Sequence, residues 1–534
     1  MSPSSQTQDA ETRWQRYCEL LWHHPSLGFW LDCSRMPLDR ALLATLEPRF
    51  QQAFTAMQEL EAGAIANPDE GRMVGHYWLR APELAPGDAI ANGIRDEIQR
   101  QKSFAAQVLS GSLLAPTGGV FTDVVWIGIG GSGLGPLLII NALQQPNCGL
   151  HFHFLDNVDP EGMRRLFDQL GERMRTALVV VVSKSGGTPE PHIGMVETRH
   201  RLELMGGVWH RQAVAVTMVG SKLDRQADQE AWLRRFDLAD WIGGRTSITS
   251  AVGLLPALLA RIDIDAFLAG AAAMDVATRI PRVSDNPAAL MAASWYVAGD
   301  GAGKRDLVML PYRDRLETFS RYLQQLIMES LGKRLDRRGV TVNQGLAVYG
   351  NKGSTDQHAY VQQLRDGIDN FFVTFIESLE DPDDIPNLEE SGPGDFLAGF
   401  LQGTRDALTE SGRQCLSITL TKLDARALGA LIALFERTVS LYAELIDINA
   451  YHQPGVEAGK QAAAAVLELQ HRIERLLADG QCRTAAETAR ELGQPSQVER
   501  TFRLLRHMSF NRCGVVSEGN WAEPAGVRFH RTRD

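Results

Sequence analysis

The chain has 534 residues, room for three or four modules at about 150 residues each, or for two large ones with helical additions. Apolar residues make up 44% and charged residues 22%, with 49 Gly and 23 Pro, which excludes disordered, collagen-like and coiled-coil classes. Lys plus Arg is 54 and Asp plus Glu is 65, and the resulting charge of −11 repels polyphosphate backbones, so no nucleic-acid partner is expected.

Residues 1 to 118 carry helical patterns such as Leu42–Phe54 and Ile90–Leu109 with no run of β-branched residues, and predict an N-terminal helical layer. From Val124 the texture changes to short apolar runs, each ending in Gly, Ser or Asp and followed by a helical stretch: VVWIGIGGSG, LHFHFLD, ALVVVVSKSGG, AVAVTMVG and FDLADWIGGRTS. Runs this continuous suit strands buried on both faces of a parallel sheet. The alternation predicts an open, doubly wound α/β unit over 119–300, with ligands beyond the carboxyl ends of its strands. A second pass over 301–454 (DLVMLPY, LAVYG, FFVTFIES, CLSITLT) predicts another such unit, and 455–534 reads as C-terminal helices with a polar tail. The six cysteines, Cys18, Cys33, Cys148, Cys415, Cys482 and Cys513, lie no closer than 15 positions apart and read as free thiols. The polar N-terminus lacks the apolar run of a secretory signal, and no stretch approaches the roughly 18 apolar residues of a membrane span, so the expected location is the cytoplasm, away from membranes.

Two loops carry the chemistry of anion binding. Gly128-Ile129-Gly130-Gly131-Ser132-Gly133 matches G-x-G-x-x-G after a strand, and Asp156 closes the next strand where a ribose-binding acid would stand. Alone this suits a dinucleotide, but glycines that admit a ligand to the backbone and a helix N-terminus suit any phosphate, and Ser132 adds a hydroxyl that favours a phosphosugar equally. The second loop, Ser183-Lys184-Ser185-Gly186-Gly187-Thr188, follows strand Leu178–Val182 and opens another helix. Three hydroxyls, two glycines and a lysine are what a phosphate dianion needs, and neither a dinucleotide fold nor a P-loop requires this second cradle.

Together with Gly243-Gly244-Arg245-Thr246-Ser247, these loops resemble the sugar-isomerase (SIS) fold. The ordered segments IGIGGSGLGP, VVSKSGGTPEP, GGRTSITSAVG, MESLGK, GSTDQHAY and PGVEAGKQ, over residues 127–461, are similar to those of the glucose-6-phosphate isomerase family. The resemblance implies two SIS subdomains wrapped in helices. It also implies an intramolecular oxidoreductase of glycolysis and gluconeogenesis that interconverts glucose 6-phosphate and fructose 6-phosphate through a cis-enediol(ate), as a homodimer with shared sites.

The carbon-to-carbon proton transfer of such a reaction needs a base, for which a carboxylate serves. Glu329 lies on the helical stretch Leu316–Leu335, on the flank of an apolar arc of Leu316, Phe319, Leu323, Leu326, Ile327 and Ser330, with Gln325 one turn earlier. It should therefore be half sheltered. The MES-x-GK pattern implies that Glu329 is the isomerisation base and Gln325 a substrate contact. Ser354 and Gln357 have capping-box spacing, which puts His358 in the first turn of a helix, and the resemblance gives it a ring-opening role across the dimer interface. Lys460 sits early in a helix among small residues, and the resemblance makes it a partner in ring opening, with Gln453 contacting the sugar. Arg245 supplies fixed charge for the enediolate oxygen. The phosphate falls to Gly131, Ser132, Ser183, Lys184, Ser185, Gly186, Gly187 and Thr188.

The second loop departs from one common family version, in which further threonines stand at the positions of Gly187 and Pro191. Backbone N–H groups of Gly186 and Gly187 are expected to compensate. No metal or other cofactor is expected: there is no H-E-x-x-H, and His151 and His153 have no carboxylate at a matching spacing. The alternatives are a non-catalytic SIS module that senses a phosphosugar, a dinucleotide oxidoreductase resting on the first loop alone, and an isomerase that also accepts mannose 6-phosphate.

Overall fold

A computed structural model describes residues 10–382, 390–511 and 514–532, the side chains of 456–462 excepted. The first set of apolar runs forms the expected all-parallel sheet of five strands, in the spatial order His151–Leu155, Asp123–Ile127, Ala177–Val182, Ala213–Thr217, Arg234–Asp237. The three central strands are buried along their whole length, whereas the two edge strands are partly exposed and carry the His and Arg residues. The apolar runs are continuous where both faces are covered and mixed where one edge meets solvent.

The second sheet has six strands in the order Leu21–His24, Phe29–Arg35, Cys415–Leu420, Phe371–Ser378, Asp306–Pro311, Val348–Tyr349. Its last four are parallel, as expected. The first two come from the segment read as a helical layer: Phe29–Arg35 pairs antiparallel with Cys415–Leu420, and Leu21–His24 pairs antiparallel with it in turn. These strands rest on Trp22, Phe29 and Trp30 rather than on β-branched residues, so a search for β-branched runs passes over them. The helices Arg40–Glu61 and Asp88–Leu109 appear as predicted, with longer ends.

Residues up to His452 form one compact unit and Gln453–Asp534 another. The second unit is not helical throughout. Helices Pro454–Leu477, Ala485–Glu491 and Val498–Phe510 accompany a three-stranded antiparallel sheet of Arg483–Thr484, Arg528–Arg531 and Val515–Glu518, around Ile473, Leu505, Met508 and Phe529. Strands of two to four residues carry too little periodicity to be read from the chain. We propose the division at 118, 300 and 454 as the domain organisation, with the N-terminal layer lending two strands to the second subdomain.

The first unit is pinned by a buried ionic cluster. Arg80 donates to Asp275 at 2.5 and 2.9 Å and to Glu436 at 2.5 Å. Arg437 donates to the same Asp275 at 2.8 Å and to Glu61, and its guanidinium lies 3.9 Å from the centre of the Tyr77 ring. The side chains of Arg80, Asp275 and Glu436 have no exposed surface. Burial pushes the Asp275 carboxyl up, but Arg437 and Arg80 outweigh it and hold the group at about 2. A charge cluster of this kind costs heavily when one member is removed, because its partners stay buried and unpaired. Asp275→Ala should lower unfolding free energy by about 3–5 kcal/mol, read as a lower urea midpoint; a loss below about 1 kcal/mol would show that the arginines find other partners.

Candidate active site

In the first sheet the order reverses between Asp123–Ile127 and Ala177–Val182, and both phosphate-type loops leave the carboxyl ends of these two strands. A crevice opens where consecutive connections run to opposite sides, which is where open α/β sheets bind ligands. The first loop turns tightly into helix Gly131–Leu143: the N–H groups of Ser132 and Gly133 donate to the carbonyls of Ile129 (3.3 Å) and Gly130 (3.0 Å). Gly131 is required by close approach to backbone, and Gly130 by its positive φ of 60°. A Cβ on Gly131 would lie 1.9 Å from the Gly244 carbonyl oxygen, and one on Gly130 would lie 2.9 Å from Gln325 Nε2. Those contacts bring the first loop, the Gly243–Ser247 turn and the helix that carries Glu329 to one place.

In the second loop Ser183 Oγ accepts from the N–H of Gly186 (3.1 Å) and Ser185 Oγ from the N–H of Gly187 (3.2 Å). The two N–H groups expected to hold the phosphate are thus engaged within the loop, and each serine hydroxyl keeps its own proton to donate outward. Thr188 stands at the N-cap of helix Pro189–Leu204 and its hydroxyl makes no cap bond. Lys184 takes a different part from a plain phosphate ligand: its Nζ donates to the carbonyls of Asp240 and Ile242, both at 2.7 Å. It thereby ties the loop to the strand end that leads into Arg245. Burial first, then the field of Arg72, pulls Lys184 down to about 8, with Glu70 and Asp240 opposing. Arg72, on the short hairpin of Ile65–Asn67 and Arg72–Met73, adds positive charge at this loop that no motif announced.

Arg245 and Glu329 are in direct contact. Arg245 Nη2 lies 3.2 Å from Glu329 Oε1, while Nη1 donates to the Ala450 carbonyl at 2.8 Å and to Ser330 Oγ at 3.3 Å. The arginine side chain is 7% exposed and the glutamate 20%, so the base candidate is part-buried, as its helical flank predicted. Burial pulls Arg245 below the usual arginine range and Glu329 opposes it. The expected single helix Leu316–Leu335 is broken up. An α-helical turn Phe319–Leu323 passes into a π-helical stretch Gln324–Glu329, the helix stops after Leu331, and Lys333–Leu335 is a strand. The wider π turn departs from the 100° spacing used to place Glu329, a departure common at functional sites.

His358 does not open a capped helix. It ends a 3-10 turn, Thr355–His358, in which Ser354 makes no side-chain cap. Gln357 reaches instead to Tyr312 Oη (3.1 Å), the Phe400 carbonyl (3.0 Å) and Thr404 Oγ1. The turn is built on buried Asp356, which accepts from the N–H groups of Asn351 (2.8 Å) and Lys352 (3.1 Å). His358 itself is exposed, and its ring has no hydrogen bond or ion pair among the described residues. Gln453 stands at the N-cap of helix Pro454–Leu477, and the Lys460 side chain lies outside the described residues.

A further imidazole sits beside Arg245. His452 Nδ1 lies 3.0 Å from Asp69 Oδ2, and burial lowers its pKa with help from Lys333 and Arg245, against Asp69. A separation of 383 positions between the two partners leaves no sequence signal for this pairing. His153, read as lacking a carboxylate, has one: Asp123 Oδ1 at 2.8 Å, shared with Arg173 at 2.6 Å. Among the described residues no group of three or more His, Cys, Asp or Glu could hold a metal ion.

A doubly wound sheet with hydroxyl-rich loops at its switch point, an arginine and a part-buried carboxylate beside them, defines a phosphosugar protein of the sugar-isomerase fold. A family model described as phosphoglucose isomerase matches residues 38–410 and 406–485. The glucose-6-phosphate isomerase of Parasynechococcus marenigrum is 64% identical over 527 residues, covering 99% of this chain and 96% of that one. That of Synechococcus elongatus is 56% identical over 520 residues, covering 97% and 98%. A crystal structure of a glucose-6-phosphate isomerase from Chlamydia trachomatis superposes with a TM-score of 0.77 at 27% identity, covering 85% of this chain and 90% of that one. The chain belongs to the phosphoglucose isomerase family.

The Lys184 geometry gives a test in pH. Its pKa in the fold, about 8, is below the 10.5 of a free lysine, so the unfolded chain binds more protons between these values. The stability it contributes is present above about 10.5 and is lost as pH falls through about 8. Denaturation midpoints of wild type and Lys184→Met, compared at several pH values in that window, should diverge with the wild type gaining as pH rises; parallel curves would mean the lysine titrates as an exposed one.

Proposed function

We propose that this chain catalyses the reversible aldose–ketose isomerisation of glucose 6-phosphate and fructose 6-phosphate. The observation that carries the reading is the Arg245–Glu329 contact at the switch point of the first sheet, 3.2 Å from guanidinium to carboxylate, in a chain of this family. After ring opening, Glu329 takes the proton on C2 of the aldose; the C–H electrons form the C1–C2 double bond and the C1 carbonyl oxygen takes the charge. Arg245 supplies positive charge to that oxygen, where it develops in the transition state. The C2 hydroxyl then passes its proton to the C1 oxygen, Glu329 returns its proton to C1, and the electrons left on the C2 oxygen form the carbonyl of the ketose.

The hydroxyls of Ser132, Ser183, Ser185 and Thr188, with the backbone at Gly131, hold the phosphate, and Arg72 and Lys184 supply its positive field. Gln325 and Gln453 contact the sugar. His358 and Lys460 open the ring, an assignment that rests on the motifs GSTDQHAY and PGVEAGKQ. The ring of His358, exposed and without a partner among the described residues, supports its service in the site of a second copy, hence a homodimer. No helix among the described residues is long and apolar enough to cross a membrane; a cytoplasmic location is part of the same proposal.

Purified protein given fructose 6-phosphate in EDTA, with product followed by a coupled dehydrogenase, should turn over, and Glu329→Gln should lose about 10²–10⁴-fold in kcat. A folded wild type that binds the phosphosugar without turnover would point to a sensor. For the shared site, inactive Glu329→Gln and His358→Ala chains are mixed and refolded. About a quarter of wild-type activity should return, since half of the dimers are mixed and each carries one intact site; no activity in verified mixed dimers would place the histidine in its own subunit's site.

A further inference from the structure

Lys333 curls back onto the helix that carries Glu329. The last carbonyls of a helix have no intrahelical partner, and Lys333 Nζ donates to two of them, those of Glu329 (2.7 Å) and Ser330 (2.8 Å). Arg245 meets the same two residues from the other side, through Glu329 Oε1 (3.2 Å) and Ser330 Oγ (3.3 Å). One cation thus fixes the main chain of the base and another its carboxylate. A lysine at a helix C-terminus is ordinarily a surface cap in water. Lys333 is different: it is 5% exposed, and burial together with the neighbouring Arg245 brings it down to about 7, against the pull of Glu329. Placing a donor here is costly, and an uncharged side chain of the same length would avoid the cost but leave both carbonyls unpaired.

We infer that Lys333 is a positioning residue for the isomerisation, holding the backbone of Glu329 so that one carboxylate can serve both C1 and C2. The inference rests on the reading of Glu329 as the base. The end of the helix, just past the π-helical stretch Gln324–Glu329, gives the geometric reason. The π turn carries its own, wider i to i−5 bonding, but the helix stops at Leu331, so the carbonyls of Glu329 and Ser330 are among its last ones, and Lys333 supplies a donor to each. A carboxylate that must reach two adjacent carbons tolerates little drift, since a misplacement of about 1 Å can cost 10²-fold in rate.

The test uses full-length Lys333→Met, Lys333→Gln, Lys333→Arg and Glu329→Gln. Lys333→Met should lower kcat about 10–100-fold with KM changed less than about threefold. It should also raise the primary deuterium isotope effect on kcat with glucose 6-phosphate deuterated at C2, because proton abstraction becomes the slow step. Lys333→Arg keeps N–H donors and should hold kcat within about fivefold of wild type. An unchanged isotope effect in Lys333→Met, whether kcat is intact or falls only with the folded fraction seen by circular dichroism, overturns the inference. If Lys333→Met does not fold, Lys333→Gln decides: its shorter side chain cannot reach both carbonyls, so an isotope effect above wild type in that folded variant upholds the inference, and one equal to wild type overturns it. Glu329→Gln separates the two claims. Full activity there refutes the base itself, whereas an inactive Glu329→Gln beside a Lys333→Met of wild-type isotope effect refutes only the positioning.

Discussion

Asp275 has no exposed surface and is shared by two arginines, and much of the first unit follows from satisfying it. The members of its cluster come from distant parts of the chain: Arg80 follows the His76–Leu79 turn, Arg437 and Glu436 lie in helix Ala425–Leu445, and Glu61 ends helix Arg40–Glu61. A buried charge is tolerable only when every member of its cluster is in place, so these elements must dock together. The effect reaches the site. Phe435, next to Glu436, meets the ring of Phe319 edge-on at 5.4 Å, and Phe319 begins the helical segment that leads to Glu329. The position of the base candidate thereby depends on a charge cluster that takes no part in the chemistry.

The site divides its work between backbone and side chains. Glycine at 131 lets the first loop approach the Gly243–Ser247 turn where a Cβ would collide with the Gly244 carbonyl, and Gly130 beside it meets Gln325. Serines 183 and 185 shape their own loop by accepting backbone N–H groups, which leaves hydroxyl protons free for an anion. Lys184 spends two of its donors on carbonyls near Arg245, so it is a brace as well as a source of charge. Cations set close to one another repel, as Arg72 and Lys184 do, and Arg245 and Lys333. The lowered pKa of Lys184 and of Lys333 is the mark of that repulsion added to burial.

Much of this was legible in the chain because the signals are local. A strand covered on both faces must be apolar throughout, so Val124–Ile127 and Leu178–Val182 announce a parallel sheet, and the loops after them announce an anion site through glycine and hydroxyl content. Other features were hidden because their cause is distant. Phe29–Arg35 becomes a strand by pairing with Cys415–Leu420, nearly four hundred positions away. Gln357 looks like half of a capping box but finds better partners in Tyr312, Phe400 and Thr404 once helix Pro393–Glu410 packs beside it.

By itself, then, the sequence determined the parallel first sheet, the parallel strands of the second and the glycine and hydroxyl content of the two loops, since apolar periodicity and loop composition are properties of neighbours along the chain. Tertiary structure alone decided that Arg245 touches Glu329, that the helix beneath them is π rather than α, and that Asp123 and Asp69 claim His153 and His452. Hydrogen bonds and ion pairs between residues tens or hundreds of positions apart exist only after the sheets have stacked their loops together, and no spacing rule encodes them.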